Sequence, residues 1–450
     1  MNAISLLLQC MVLLLFAIGA ATLVAMVKGC LVLRRQARGT PGFDTNIILK
    51  SPLVPAISVI TTCSDFAPES FAFVRKLIEL HYGKHELVLV LDGSNEESLE
   101  AWTKEFRLCP SMRNPSTDLP SKPIRGIYES RDPLRLVVVD KVPGGVADSL
   151  NAGVNVSASP VIALLDPDSD FDPPILLYMV RPMLDDPTRT LAVCGVMPVA
   201  GETIWRPEGT PDPDASRRVS RLGELEALRI WLSRGAAFAG WNRLVPVPGS
   251  SLLVTRESIV QQGGFRGGPL ELFLNLHGKA RAAKRDYRVA FVPERVSCLR
   301  PPKSTADLKA RIYRDEQAFV AAIGHRKSIA GGIGAIGLGL PAIFTVRFVR
   351  PFLETLIYPL TIVGLFLGFV DLPLAGLVLL STVAMGMLVS MAAVVLRELV
   401  EFRGSDPERL ASLFFTAVPE NLGYRQIRNL WLIAGFFSDP QKQKAAGERE

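Results

Sequence analysis

Three carboxylates stand at alternate positions in the segment Asp166-Pro167-Asp168-Ser169-Asp170, directly after the apolar run at residues 161–165. Carboxylates this close together repel one another unless a cation lies between them. Hard divalent ions such as Mg²⁺ or Mn²⁺ prefer oxygen ligands and often complete their shell with phosphate oxygens. Asp166, Asp168 and Asp170 are therefore predicted to hold such an ion. The alternative is a charged turn that ends a strand.

Two more acidic positions follow apolar runs rich in β-branched residues. Asp65 comes after residues 57–62, and Asp92-Gly93-Ser94 follows residues 86–91. Parallel strands bring their carboxyl ends to one edge of a sheet, and α/β proteins bind ligands at that edge. A single aspartate at a strand end is usually a helix cap or a turn former. Three acidic strand ends at one edge favour a bound cation and a polyphosphate.

The elements that would position these side chains alternate between short apolar runs and amphipathic stretches. Residues 136–140 and 161–165 are the third and fourth predicted strands, and residues 71–80 have apolar side chains at helical spacing. Continuous apolar strands joined by helices indicate a mostly parallel sheet covered on both faces. The predicted fold class is therefore α/β, in a domain that spans residues 50–325.

Apolar segments at both ends of the chain predict membrane helices. Residues 1–30 form an anchor that is retained, because the basic residues follow the apolar run and do not precede it. Residues 329–400 are predicted to be an interfacial segment (329–346) and a transmembrane hairpin (352–370 and 374–396). Residues 404–450 form an amphipathic tail. The basic flanks predict a multi-pass protein of the cell (inner) membrane, with the α/β domain and the tail in the cytoplasm.

Composition argues against two classes of protein. The 450 residues carry a formal net charge of only +6, and Lys and Arg cluster beside the apolar segments. Because no aromatic residues interleave with a basic stripe, no nucleic-acid partner is predicted. The six cysteines are scattered without a Cys-x-x-Cys pair, which argues against a zinc site or a disulfide framework.

Seven segments, taken together and in order, resemble the family 2 glycosyltransferases, in particular the membrane-bound synthases of cellulose, hyaluronan and poly-N-acetylglucosamine. The matching segments are residues 55–60, 89–94, 144–153, 166–170, 248–251, 263–265 and 419–426. The resemblance implies a nucleotide-sugar-binding domain of the GT-A type. It also implies transfer of a sugar, with inversion, from a nucleotide-diphosphate sugar to a lipid or glycan acceptor.

The resemblance also implies roles for particular residues. The donor-binding positions would be Asp65, Asp92, Gly93, Asp148, Asn151, Arg311 and Arg314, with Asp166, Asp168 and Asp170 on the metal. Val146, however, stands where the glycine-rich loop of the family usually has a lysine, and residues 311–315 lack the glutamine and tryptophan of its Gln-x-x-Arg-Trp motif.

A third departure concerns the catalytic base. Gly268-Pro269 replaces the acidic pair that supplies the base in the family, and proline cannot accept a proton. Glu271 is the predicted replacement, with Glu224 and Glu226 as alternatives. The competing interpretation is a catalytically silent subunit that binds nucleotide sugar or a partner in a polysaccharide-assembly complex.

Overall fold

The computed structural model describes residues 3–38, 54–63, 67–131, 135–167, 169–196, 217–247, 249–292, 297–300, 302, 304–324, 337, 339–400 and 407–438. Asp65 and Asp168, two of the predicted site residues, lie outside the described residues, as does half of the predicted interfacial segment at 329–346.

Eleven strands lie in the described part of the chain. They are β1 Ile57–Cys63, β2 His85–Asp92, β3 Leu108–Pro110, β4 Ile124–Ser130, β5 Leu136–Lys141, β6 Val161–Leu164, β7 Ser169–Phe171, β8 Thr190–Gly195, β9 Ser251–Thr255, β10 Arg288–Val292 and β11 Ser297–Leu299. The four predicted strands are confirmed as β1, β2, β5 and β6, each within two residues of the expected bounds.

The first helix precedes β1, and the helices of the α/β domain lie between or after the strands. They are α1 Ala3–Arg38, α2 Pro68–Ile78, α3 Glu96–Phe106, α4 Val146–Val156, α5 Ile175–Asp185, α6 Arg217–Ile230, α7 Arg256–Gln262, α8 Pro269–Ala282 and α9 Thr305–Gly324. A π-helical segment, Trp231–Ala236, and a last turn, Ala237–Gly240, continue α6.

Nine strands form one sheet in the order β10-β8-β9-β6-β1-β2-β5-β4-β3. The four central strands, β6-β1-β2-β5, are parallel, and β9 and β4 join them in antiparallel orientation. Along β2, Val88 and Val90 belong to one apolar cluster, while Leu87 and Leu89 belong to the cluster on the opposite face. Burial on both faces explains why the central strands are continuously apolar. The predicted α/β class is confirmed.

Strand register brings the polar residues to one edge. Asp92 is the Cα partner of Lys141 at the carboxyl ends of β2 and β5. On the other side of β1, Ile60 pairs with Leu164 of β6, so that Asp166 follows two residues beyond the end of β6.

Among the described residues, three helices are long and apolar enough to cross a membrane: Ala3–Gln36, Gly339–Phe366 and Leu372–Val400. The second consists of Gly339–Phe344, a π-helical segment Thr345–Val349 and α10 Arg350–Phe366, and the third is α11. The second helix therefore begins at Gly339, thirteen residues before the predicted start of the hairpin, and includes the described end of the segment expected at the interface.

The last third of α1 packs on the α/β domain. Met26, Cys30 and Leu33 are buried in the same apolar cluster as Val88 and Val90. Gly29 allows this approach, because a Cβ atom there would lie 2.0 Å from the carbonyl oxygen of Leu232. The anchor is thus joined to the domain by packing as well as by the chain.

The C-terminal tail forms α12 Pro407–Pro419 and α13 Arg425–Phe437, joined by a kinked π-helical segment, Glu420–Tyr424. Leu413 and Ala417 of α12 pack with Val394 of α11 and with Leu225 of α6. Leu432 of α13 packs against α9. The tail therefore packs against both the α/β domain and the membrane helices.

Candidate functional site

Asp92 ends β2 and is held by three donors. Its carboxylate accepts hydrogen bonds from Lys141 Nζ at 2.9 Å, the Gly144 backbone N–H at 2.9 Å and the Gly145 backbone N–H at 2.8 Å. Partial burial alone would raise the pKa of Asp92, but these donors outweigh it and lower the pKa to about 2. The carboxylate is therefore ionised at neutral pH and fixes the loop that leads into α4.

Lys141 is the residue at this edge that sequence reasoning missed. Its side chain has no exposed area, and its Nζ lies 2.9 Å from Asp92, 2.6 Å from Asp148 and 2.8 Å from the Val142 carbonyl oxygen. The contacts with Asp92 and the Val142 carbonyl oxygen are hydrogen bonds, and the contact with Asp148 is an ion pair. The lysine that the family has at position 146 is absent, but a cation does reach this edge from the end of β5.

Gly93 and Ser94 continue from Asp92 into a turn. Gly93 has a φ of +76°, and a Cβ atom there would lie 2.5 Å from Pro143 Cγ, so glycine is required by both conformation and space. Ser94 donates to Asp140 at 2.6 Å, and Arg125 forms an ion pair with the same carboxylate. The structure therefore gives Gly93 a conformational role at this edge.

Asn151 on α4 joins two loops. Its Nδ2 donates to the carbonyl oxygens of Phe265, at 2.9 Å, and Pro120, at 3.1 Å, while its Oδ1 accepts from the Phe265 N–H at 2.8 Å. The side chain is 3% exposed. Asn151 was predicted to bind substrate, but its hydrogen bonds fix the turn at residues 263–265, three residues before the N-cap of α8.

Asp166 and Asp170 flank the predicted metal position. The Ser169 N–H donates to the Asp166 carbonyl oxygen at 3.0 Å, which closes the turn between β6 and β7. The Asp170 carboxylate accepts from Arg300 Nε at 3.0 Å and lies 3.5 Å from Lys76 Nζ. A metal ion would have to compete with these two cations for Asp170. Within the described ranges no three His, Cys, Asp or Glu side chains converge as a metal site.

The three glutamates considered as bases occupy different surroundings. Glu224 forms an ion pair with Arg397 of α11 at 3.5 Å, and Glu226 accepts a 2.7 Å hydrogen bond from Arg428 of α13. Both are thus engaged in linking the domain to the membrane helices and the tail. Glu271 lies in the first turn of α8 and is 3% exposed. Proline is favoured at the first position of a helix. Gly268-Pro269, which stands where the family has its acidic pair, therefore forms the start of α8.

The two predicted arginines of α9 do not line the charged cavity described below. Arg311 binds Asp307 on its own helix, at 3.2 Å, and the Arg300 carbonyl oxygen, and Arg314 is exposed. The face of α9 that turns inward carries Ile312, Asp315 and Glu316 instead. The i, i+4 spacing of the buried residues Leu308 and Ile312 was the sequence signal that could have identified this face.

A charged cavity of about 110 Å³ lies where the α/β domain, the tail and the three candidate membrane helices meet. Its lining includes Thr22 of α1, Arg350 of α10 and Val389 of α11. Six arginines and five carboxylic acids face it, and most of them form ion pairs. The pairs are Arg229–Glu420 at 2.5 Å, Arg347–Glu316 at 2.7 Å, Arg350–Glu354 at 3.0 Å, Arg425–Glu354 at 2.8 Å and Arg428–Glu226.

Arg234 and Asp315 are the two charged lining residues outside these pairs. Within the part of the chain that the structure describes, neither makes an ion pair shorter than 4.0 Å, and Arg234 Nε is buried without a hydrogen-bond partner. Burial, and then the charge of Arg347, lower the pKa of Arg234 to about 9. Burial raises the pKa of Asp315 to about 6; the charge of Arg347 opposes this rise, and the negative charges of Glu316 and Asp166 add to it. The negative charge of Asp166, just beyond the end of β6, therefore acts on Asp315 inside the cavity.

No protein-family model matches the chain, and no curated protein matches it. Among solved structures, the chain is similar to the mannosyltransferase PcManGT of Pyrobaculum calidifontis in complex with GDP-Man and Mn²⁺. That match has 18% identity and a TM-score of 0.47, and it covers 97% of this chain and 100% of that one.

The chain is also similar to glucosyl-3-phosphoglycerate synthase of Mycobacterium tuberculosis in complex with Mn²⁺, UDP and glucosyl-3-phosphoglycerate. Identity is 14% and the TM-score 0.35, over 63% of this chain and 86% of that one. The same synthase in complex with Mg²⁺ and UDP matches with 14% identity, a TM-score of 0.35 and coverage of 63% and 85%. At these identities and TM-scores, the ligands of those proteins cannot be assigned to this chain. Membership of family 2 stays a prediction.

Proposed function

We propose that this chain is a membrane-bound inverting glycosyltransferase that moves a sugar from a nucleotide-diphosphate sugar to a lipid or polysaccharide acceptor. One observation carries the proposal. The acidic end of β6 lies at the ligand-binding edge of a parallel sheet, and the charge of Asp166 acts on Asp315 in a cavity bordered by the three candidate membrane helices. A polar donor at the sheet edge and an acceptor from the membrane would therefore meet near Asp166.

The donor end offers an ionised acceptor of hydrogen bonds. A carboxylate has about four acceptor positions, and the Asp92 carboxylate uses three of them for Lys141 and the N–H groups of Gly144 and Gly145. Its side chain is 19% exposed. The remaining position suits an N–H group of a nucleobase.

A divalent cation, Mg²⁺ or Mn²⁺, is part of the proposal. Asp166 and Asp168 would hold it, and Asp170 would contribute if the ion displaced Lys76 and Arg300. Mutual repulsion between the carboxylates of Asp166 and Asp315 is relieved by a cation, and oxygen donors suit a hard ion. When bound, the cation neutralises the negative charge that accumulates on the departing diphosphate.

Glu271 is the proposed catalytic base. An acceptor hydroxyl attacks the anomeric carbon, the bond from that carbon to the diphosphate oxygen breaks, and the hydroxyl proton passes to a Glu271 carboxylate oxygen. Asn151 would act as a positioning residue, because it fixes the turn that precedes α8. Glu224 and Glu226 are less suited, since each is held by an arginine.

The test is a screen for nucleoside diphosphate release by the full chain in detergent. Nucleotide sugars are offered with Mg²⁺ or Mn²⁺ and then with a chelator. We expect release that needs the metal and that falls about a hundredfold or more in Asp168→Ala and Asp166→Asn. Asp185→Asn on the exposed end of α5 is the matched control and should keep wild-type release. Equal release from all three variants would refute the proposed metal position.

A silent nucleotide-sugar-binding subunit is the second candidate, and one observation favours it. Two residues predicted to bind the donor are occupied by the protein itself: Asn151 by backbone groups, and Arg311 by Asp307 and Arg300. Binding of a nucleotide sugar that requires Asp168, without release under any donor and acceptor, would support this candidate and reject the enzyme.

A further inference from the structure

Arg234 is a buried cation that has no carboxylate within ion-pairing distance among the described residues, although the negative charges of Glu316, Asp315 and Glu226 act on it from farther away. The residue lies in the π-helical segment Trp231–Ala236, is 9% exposed and lines the 110 Å³ cavity. Within the described residues, every other arginine of the cavity has a carboxylate within 3.0 Å, whereas Arg234 has none within 4.0 Å and its Nε has no hydrogen-bond partner.

A buried guanidinium in this state is costly unless something compensates it. Removing a charge from water without a partner strongly disfavours the charged form. After burial, the largest influence on Arg234 is the repulsive charge of Arg347, and the charges of Glu316, Asp315 and Glu226 offset part of it. Arg347 already binds Glu316 at 2.7 Å and lies over the Phe319 ring at 4.7 Å, so it is held in place. The cavity is large enough for several water molecules. Its lining has six arginines and five carboxylic acids, so it carries one positive charge in excess when all of them are ionised.

The cavity continues toward the membrane helices. A smaller crevice of about 10 Å³ shares Arg350 and Glu354 with it and is otherwise lined by Val12, Leu15, Phe16, Ser381, Thr382 and Met385 of α1 and α11. Four of these six side chains are apolar. The alkyl chain of a ligand whose charged group lies beside Arg234 would reach these apolar side chains past the Arg350–Glu354 pair. The crevice has room for about one water molecule, so it would have to widen to admit the chain.

We infer that the cavity is a binding site for an amphiphile with a phosphate headgroup, and that Arg234 is its anchor, with Arg347 beside it. Guanidinium groups bind phosphate oxygens through their forked N–H donors. A phosphate monoester carries between one and two negative charges at neutral pH, which would balance the one positive charge by which the arginines of the cavity exceed its carboxylic acids. Identification of this amphiphile as the sugar acceptor rests on the proposed function, but its binding does not.

The test uses the full chain in a neutral detergent with decyl phosphate, decanol and inorganic phosphate as probes. Equilibrium binding and the ligand-induced rise in Tm are measured without any nucleotide sugar, so the result does not depend on glycosyl transfer. We expect decyl phosphate to bind and to raise the Tm, and decanol and inorganic phosphate to bind at least tenfold more weakly. Arg234→Gln should weaken decyl phosphate binding at least tenfold, and Arg234→Lys should recover part of it.

The same variant separates a ligand anchor from a structural arginine. Because Arg234→Gln removes an uncompensated buried charge, its Tm without ligand should equal or exceed that of the wild type. Arg181→Gln on α5, away from the cavity, is the matched control and should bind decyl phosphate normally. Wild-type binding by Arg234→Gln, a Tm loss without ligand in that variant, or equal affinity for inorganic phosphate would each overturn the inference.

Discussion

Lys141 at the sheet edge and Arg234 in the membrane-side cavity are both cations held out of water, but their partners differ. Lys141 has two carboxylates and a carbonyl oxygen within 2.9 Å. Arg234 faces a second arginine and has no carboxylate within 4.0 Å among the described residues. The first cation completes a fixed piece of architecture, and the second leaves a position for an anion.

The difference has a consequence for function. Asp92, Lys141 and the N–H groups of Gly144 and Gly145 hold one another, so the donor end is formed before any ligand arrives. The cavity end has surplus positive charge in an enclosed space, so a ligand would complete it. Changes at the sheet edge should therefore affect stability first, whereas changes at Arg234 should affect binding first.

Glu354 should show the largest loss of stability, because one carboxylate serves two arginines. It accepts hydrogen bonds from Arg350 at 3.0 Å and from Arg425 and Asn429 at 2.8 Å, and its side chain is 5% exposed. Glu354→Gln leaves two buried guanidinium groups without charge compensation, at a cost of about 3–5 kcal/mol. Tm and denaturant midpoints in detergent measure the effect. The control Glu408→Gln, on the exposed surface of α12, should leave the Tm unchanged. An unchanged Tm in Glu354→Gln would mean that water compensates the charges of the cavity.

Lys141→Met should cost somewhat less, about 3 kcal/mol, because Asp92 and Asp148 are left without their shared cation. Both carboxylates are about one-fifth exposed, so water recovers part of the loss. The same unfolding measurement applies, with the exposed Lys104→Met of α3 as control. If Arg234→Gln were as destabilising as Lys141→Met, the contrast between the two regions would be lost.

Acid titration should show a smaller loss of stability at the sheet edge, caused by protonation of Asp92. The pKa of Asp92 falls from 3.8 to about 2 on folding. A depressed pKa means that the ionised form stabilises the fold above about pH 4 and that this contribution, about 2 kcal/mol, is lost as pH falls toward 2. The Tm of the wild type should fall through this window, and Asp92→Asn should remove that part of the decrease. An identical pH profile in Asp92→Asn would contradict the assignment.

Sequence reasoning located the sheet edge because its signals are local. β-branched apolar runs followed by Asp92 or Asp166 specify both a strand and the residue after it. The positioning role of Asn151 could not be predicted from the sequence, because its hydrogen-bond partner Phe265 lies 114 residues away. The sequence also did not identify Lys141 as the cation at this edge. Its position is typical of the polar end of a strand, and only the strand register shows that it lies beside Asp92.

The cavity could not be predicted from the sequence, because its pairs are distant in the chain. Glu224 and Glu226 meet arginines 173 and 202 residues away, which is why both read as available bases in the sequence. Arg234 stands in a mixed segment, Trp-Leu-Ser-Arg-Gly-Ala, and its burial depends on the close packing of this segment against α1 at Gly29. Local periodicity carries no signal for such contacts.

The most direct test of glycosyl transfer separates donor binding from turnover in Glu271→Gln, with Glu257→Gln on exposed α7 as control. Nucleotide-sugar affinity and nucleoside diphosphate release are measured on the same detergent-purified protein with Mg²⁺ or Mn²⁺. An enzyme with a relocated base predicts wild-type donor affinity and release lowered by about 10²–10⁴-fold in Glu271→Gln only. Donor binding without release in the wild type, or release that survives in Glu271→Gln, would contradict that account.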